Sequence, residues 1–323
     1  MRSAKNSVAM IAMLLAGTLS LHAGAQNYPT KPVKLVVPFA AGGTTDILAR
    51  LYAQRMGVTL GQPMLVENRT GAGTMIGSDY VAKSAADGYT LLLGSPSVWL
   101  NPVLYKTVPY KFQDFSPISV VARAPYVLGI PATLAPQTLQ SFIDWSKNPA
   151  NRVSYGILGV GAPSHLVSKL FENVTGVRGV DVSYKGTAPV MTDLMSGLLQ
   201  YYFDAVVTSL PLHRSGKIRV LAVTSEQRSP AAMDIPTFKE LGYPKMVADT
   251  VWGMFAPAGT PRPVINQVSR AVAEAAGFEE LRSRLVRDGT VPSASTPEGF
   301  SEIIRQDFDM WNEIIKASNI QLE

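Results

Sequence analysis

The stretch Leu35-Val36-Val37-Pro38-Phe39-Ala40-Ala41-Gly42-Gly43-Thr44-Thr45-Asp46-Ile47-Leu48-Ala49-Arg50 decides the architecture. Leu35–Val37 predicts a buried strand, Pro38–Thr45 a tight loop, and the remainder a helix running to about Met56. Gly42 and Gly43 permit a bend that side chains would obstruct. The first amides of such a helix lack intrahelical partners and stand at the positive end of the helix dipole, so they attract anions. Two readings stay open here: a site for the carboxylate of a small molecule, or a plain strand-to-helix turn capped by Thr44 or Thr45.

Outward from this unit, strand-like and helix-like stretches alternate. Met64–Glu67 is a strand, Ile76–Lys83 a helix, and Tyr89–Leu93 a strand ending in Gly94-Ser95-Pro96-Ser97. That alternation predicts a parallel sheet covered by helices, with ligands beyond the carboxyl ends of its strands. Asn101–Ser116 reads as an irregular segment, and Ile118–Val121 and Tyr126–Ile130 as two strands crossing into a second lobe. There the pattern resumes: helix Leu139–Trp145, strand Val153–Tyr155, helix Ser164–Thr175, strand Val180–Tyr184, helix Val190–Ser196, and strands Tyr201–Val207 and Val220–Thr224. Thr250–Ala256 is the return crossing. The amphipathic helices Pro263–Ala276, Phe278–Arg287 and Pro297–Ala317 follow, with Thr296 as a cap for the last.

The amino-terminal residues predict export. Arg2 and Lys5 precede the apolar run Val8–Leu19, and Ala23-Gly24-Ala25 suits a signal peptidase, so the expected mature chain begins at Gln26. That run is short for a membrane span, and the chain has no cysteine, hence no disulfide framework and no lipid-modified cysteine anchor. A soluble protein of the periplasm is expected. The 298 residues from Gln26 favour two lobes over one core. Removing Arg2 and Lys5 takes Lys+Arg from 29 to 27 against 24 acids, a formal +3 that is too small and scattered to indicate nucleic acid.

Three strand-to-helix loops, Phe39–Asp46, Gly159–His165 and Tyr184–Pro189, combine glycine with a hydroxyl at a helix start. Converging on one cleft, they would supply donors to a carboxylate without a buried Arg or Lys. Asp46 reads either as a helix-start acid or as an acceptor for a ligand hydroxyl or ammonium. Asp204 closes an apolar strand at the same end, and His165 either braces its loop or touches ligand. There is no Gly-x-Ser-x-Gly, Walker or His-Glu-x-x-His motif, and His165 and His213 are too few and too separated for a transition-metal site. Gly71-Ala72-Gly73-Thr74-Met75-Ile76-Gly77 approaches a dinucleotide fingerprint but has one residue too many. The next strand ends in Gly94-Ser95, without the acid a ribose needs.

At these motifs the chain resembles the solute receptors of tripartite tricarboxylate transporters, the Bug family of periplasmic binding proteins. The likeness runs through Val37-Pro38-Phe39-Ala40-Ala41-Gly42-Gly43 with Asp46, Val66-Glu67-Asn68-Arg69, Asp87-Gly88-Tyr89-Thr90, Gly159–Leu166, Tyr184-Lys185-Gly186, Phe203-Asp204 and Phe255–Pro261. It implies an α/β, two-lobed fold of type II-like, Venus-flytrap form with two crossings. The expected division is a signal peptide at 1–25, a first lobe of 26–123 plus 249–323, and a second lobe of 124–248.

The implied function is capture of a small organic carboxylate and its delivery to membrane permease subunits. The expected protein is a monomer without cofactor, metal or nucleic acid. Loops and resemblance together give the candidate ligand-binding set Phe39, Ala40, Ala41, Gly42, Gly43, Thr44, Asp46, Ser95, Ser97, Gly161, Ala162, Ser164, His165, Gly186, Thr187 and Asp204. Ala205-Val206-Val207 and Leu210-Pro211-Leu212 depart from the family pattern, as does Trp99, which either roofs the pocket or packs in the core. An exported enzyme acting on a carboxylate, and a receptor serving a membrane sensor, are the alternatives. The ligand is open among dicarboxylates, citrate-like acids, amino acids and aromatic acids.

Overall fold

The computed structural model describes residues 28–317; the expected leader lies outside them. Strand β1 (Val33–Val37) leads into helix α1 (Thr44–Leu60), which Gly61 ends in the left-handed conformation at φ 69°, a turn beyond the expected Met56. Strands β2 (Met64–Asn68) and β3 (Thr90–Gly94) flank β1 and run parallel to it. Leu35, Val36 and Val37 are fully buried, as expected of a strand covered on both faces. Helix α2 is Met75–Ala82 and α3 is Ser97–Leu104, so a helix reaches into the segment Asn101–Ser116 that the sequence presents as irregular.

The expected pair of crossing strands is one strand, β4 (Phe115–Pro131). Arg123 and Pro125 break the apolar pattern, but pairing continues because the partners change there. Phe115–Pro125 pairs with β9 (Asp249–Pro257), Tyr126–Gly129 with β7 (Tyr202–Ala205), and Val127–Pro131 with β8 (Ile218–Val223), all antiparallel. The second lobe also holds α4 (Leu139–Lys147), β5 (Ser154–Ile157), α5 (Pro163–Thr175), β6 (Val180–Ser183), α6 (Thr187–Ser196) and α7 (Val206–Arg214). The sequence continues β7 to Val207, whereas the strand stops at Ala205 and α7 takes over. β-Branched Val206, Val207 and Thr208, with Pro211 inside the helix, hide its period.

Strand order is β2-β1-β3-β9-β4-β10 in the first lobe, where β10 is Val291–Pro292. In the second it is β6-β5-β7-β4-β8, the Tyr155–Tyr201 bridge joining β5 to β7. The two lobes therefore share one plan: β5, β6 and β7 stand where β1, β2 and β3 do, and a crossing strand lies beside the third. Helices α8 (Arg262–Gly277), α9 (Glu279–Arg287) and α10 (Pro297–Ala317) complete the first lobe. Thr296 caps α10 as expected, its hydroxyl accepting from the Gly299 amide at 3.0 Å. α10 seats Phe300 on Gly253 of β9, where an added Cβ would fall 1.8 Å from the ring, so only glycine fits. Among the described residues no helix is long and apolar enough to cross a membrane.

Candidate functional site

The carboxyl ends of β1, β3, β5 and β7 open on a cavity of about 50 Å³ between the lobes, room for roughly four water-sized groups. Phe39, Gly43, Thr44, Thr45 and Ser95 line it from the first lobe. Leu158, Pro163, Ser164, Thr187 and Tyr202–Ala205 line it from the second, and Tyr126, Thr250 and Trp252 from the crossing strands. Among the described residues the lining holds no Lys, Arg or His and one acid, Asp204.

Four helix starts reach this space without a side-chain cap: α1 at Gly43, α5 at Ala162, α6 at Gly186 and α7 at Ala205. Helix α4, elsewhere in the second lobe, has Thr138 accepting from the Ser141 amide at 3.2 Å. The hydroxyls near the cleft are committed to other partners. Thr45 Oγ1 accepts from Trp252 Nε1 at 3.0 Å, Thr44 and Thr208 hydroxyls meet at 3.3 Å, and Ser164 Oγ accepts from the Leu158 amide at 3.1 Å. Pro163 has no N–H and the His165 amide donates to Ala162 O at 2.8 Å, so α5 offers the fewest donors; the first amides of the other starts have no intrahelical acceptor, and each start is the positive end of a helix.

The two walls are in contact. The Ala40 amide donates to Lys185 O at 3.2 Å, and the Tyr105 hydroxyl donates to Val160 O. A Cβ on Gly186 would lie 2.6 Å from Ala40 Cβ, one on Gly159 2.8 Å from Gly73 Cα, and one on Gly43 3.4 Å from Thr187 Oγ1. Small residues are therefore what lets the lobes approach so closely.

The expected residues divide by position. Phe39, Gly43, Thr44, Ser95, Ser164, Thr187 and Asp204 line the cavity. Ala40 and Gly186 form the wall-to-wall contact, while Ala41 and Gly42 are exposed outside it. Ser97 is buried behind Ser95, their hydroxyls 3.4 Å apart, and Gly161 and Ala162 shape the turn into α5.

His165 is a brace: its Nδ1 accepts from the Gly161 amide at 3.0 Å. Burial, with Lys169 nearby, lowers its pKa to about 4, so it brings no positive charge at neutral pH. Asp46 is also a brace. It accepts from the Gly42 amide (2.9 Å), Arg50 (2.9 Å) and Asn68 (3.0 Å). Burial pushes its pKa up, but Arg50, the Gly42 amide and Asn68 outweigh that and hold the carboxyl below its ordinary value. Among the described residues no cation pairs with Asp204. Burial raises its pKa to about 7, against the Thr208 and Ser209 hydroxyls and the Ala205 amide.

Trp99 packs in the core: its Nε1 donates to Asp307 at 2.8 Å and its ring lies against Phe255 and Phe300. The cavity takes Trp252 instead, together with Tyr126, Tyr202 and Thr250, none of which the loops point to, and Thr45 from the first loop. The period-two spacing of Thr250 and Trp252 within the return crossing was their signal, since alternate residues share a face. The glycines of Gly71–Gly77 meet protein: a Cβ on Gly77 would lie 2.7 Å from Arg69 O, and one on Gly73 2.9 Å from the Tyr105 hydroxyl oxygen.

Comparison with known proteins agrees with this architecture. The model of the tripartite tricarboxylate transporter family receptor matches residues 48–320. Protein BugT of Bordetella pertussis is 35% identical over 302 residues, covering 93% of each chain. Among solved structures, Rpa4515 of R. palustris with adipate shares 34% identity at a TM-score of 0.88, covering 91% of this chain and 99% of that one. MatC of Rhodopseudomonas palustris with bound malate shares 29% at 0.85, covering 89% and 100%.

Proposed function

The chain belongs to the tripartite tricarboxylate transporter receptor family, and on that premise we propose that it captures a small organic carboxylate in the periplasm and delivers it to membrane permease subunits. One observation carries the reading: uncapped helix starts from both lobes face one small cavity whose lining contains no cation. Aligned N–H groups are suited to a carboxylate, and a ligand touching both walls favours the closed arrangement over the open one. The adipate and malate held by its relatives support the same ligand class. The binding lobes are residues 26–123 with 249–323, and 124–248, following a cleaved leader at 1–25. The protein acts by capture without chemistry.

A thermal-shift screen of small organic acids, with mass analysis of each acid after incubation, tests this. A receptor raises its melting temperature with its ligand by mass action and returns the acid unchanged. Failure of every acid to shift the transition contradicts the proposal, and conversion of an acid makes the protein an enzyme.

A further inference from the structure

Asp204, the one acid of the cavity lining among the described residues, faces the same space as the anion-attracting helix starts, and that lining has no Lys, Arg or His. The Thr208 and Ser209 hydroxyls both donate to one oxygen of Asp204, Oδ2, leaving Oδ1 without either. The facing titratable groups are Tyr126 on β4 and Tyr202 on its own strand, two phenols that burial holds neutral. Across the cavity α1 offers Thr44 and Thr45, and β9 offers Thr250 and Trp252. Asp249 and Asp307 act on Tyr126 from outside the cavity lining, and Arg123 acts in turn on both of those acids. Two carboxylates sharing so small a desolvated space repel strongly, and a proton on one relieves it.

Resting on the carboxylate reading above, we propose that Asp204 works in the closed cleft as a neutral carboxylic acid that donates a hydrogen bond to the captured anion, so that capture takes up one proton wherever the free protein has lost it. The proton comes from solvent and sits on Oδ1, since Oδ2 already accepts two hydroxyls. No covalent bond to the ligand changes. The start of α7 favours negative charge at this residue. Full burial without a counter-ion works the other way and raises its pKa to about 7.

The test is calorimetric titration with malate, adipate and any other acid that the thermal-shift screen returns, from about pH 6 to about pH 9, where such ligands stay largely ionised. Affinity should be flat at the acid end and then fall by up to about tenfold per pH unit above about 7. Binding enthalpy at about pH 8 should change with the ionisation enthalpy of the buffer, reporting close to one proton taken up per ligand. Asp204→Asn, which donates at every pH, should give a flat profile and bind more tightly than wild type at the alkaline end.

Affinity independent of pH, with no buffer dependence, overturns the protonation proposal while leaving the carboxylate reading standing. Affinity that rises with pH and collapses in Asp204→Asn overturns it differently, making Asp204 the ionised partner of a ligand ammonium. If no acid binds at any pH, the carboxylate reading falls and this proposal falls with it. Should Asp204→Asn fail to fold, the buffer dependence of the wild-type enthalpy decides alone.

Discussion

At the first wall of the cleft Asp46 has a guanidinium, a backbone amide and a side-chain amide on its oxygens, while at the second wall Asp204 has hydroxyls and one amide. Both carboxyls are buried. The first stays ionised because Arg50 and two amides outweigh the cost of burial; the second has no cation and its ionisation becomes costly. One carboxyl therefore holds a loop in shape and the other is left as a reactive polar group facing the cavity. What differs is the set of partners that the fold brings to each side chain.

The largest expected effect separates the two acids by pH. Asp204 keeps in the folded state a proton that the unfolded chain gives up. Its contribution to stability is complete below about pH 4 and lost as pH rises to about 7, a change on the order of 4 kcal/mol. Urea unfolding across that window should show Asp204→Asn gaining on wild type as pH rises. Parallel curves would mean that burial does not control this group. Asp46 has the opposite sign: its contribution is present above the ordinary carboxylate range and lost as pH falls through its depressed folded value. Asp46→Ala should cost about 2–3 kcal/mol at neutral pH, with the deficit shrinking in acid.

Closing the walls tests the space between the two acids. Gly186 has φ 176°, extended backbone that any residue adopts, so Gly186→Ala acts only through its Cβ against Ala40. Ligand affinity should fall by about 2 kcal/mol, close to 30-fold in Kd, with unchanged circular dichroism and little change in unliganded melting temperature. Undiminished affinity would mean that ligand does not need the walls this close. The smallest effect belongs to Arg50→Ala. Its side chain is 55% exposed, and Asp46 keeps its bonds to Gly42 and Asn68, so the loss measured by urea unfolding should stay below about 1 kcal/mol.

Local periodicity and glycine placement reveal most of the fold. The unit around Leu35–Arg50 implies a parallel sheet with a loop at its carboxyl end, and the same pattern recurs from Val153 onward. Two features escaped because they depend on distant partners. β4 reads as two strands because its exchange of partners around Arg123–Pro125 is invisible along the chain. α7 reads as strand because Val206, Val207 and Thr208 favour extended backbone locally. Tertiary context overrides that preference, and the helix brings the Thr208 and Ser209 hydroxyls onto Asp204.

The cavity lining was legible where the glycine loops meet helix starts, at Gly43, Thr44, Ser164 and Thr187. It was not where crossing strands supply side chains, as with Tyr126 and Trp252, because burial of an aromatic ring is the common fate of such residues. Asp46 and His165 show the same limit: their residue types suggest ligand contact, and their partners make them braces.

The proposed site gathers bare helix starts from two lobes around one organic acid. A crystal structure of the complex with the acid giving the largest thermal shift tests it most directly. The carboxylate should lie in the cavity between Phe39 and Asp204, within about 3 Å of amides from both α1 and α6. Density for the acid outside that cavity, or held by the side chains of one lobe alone, would contradict the account.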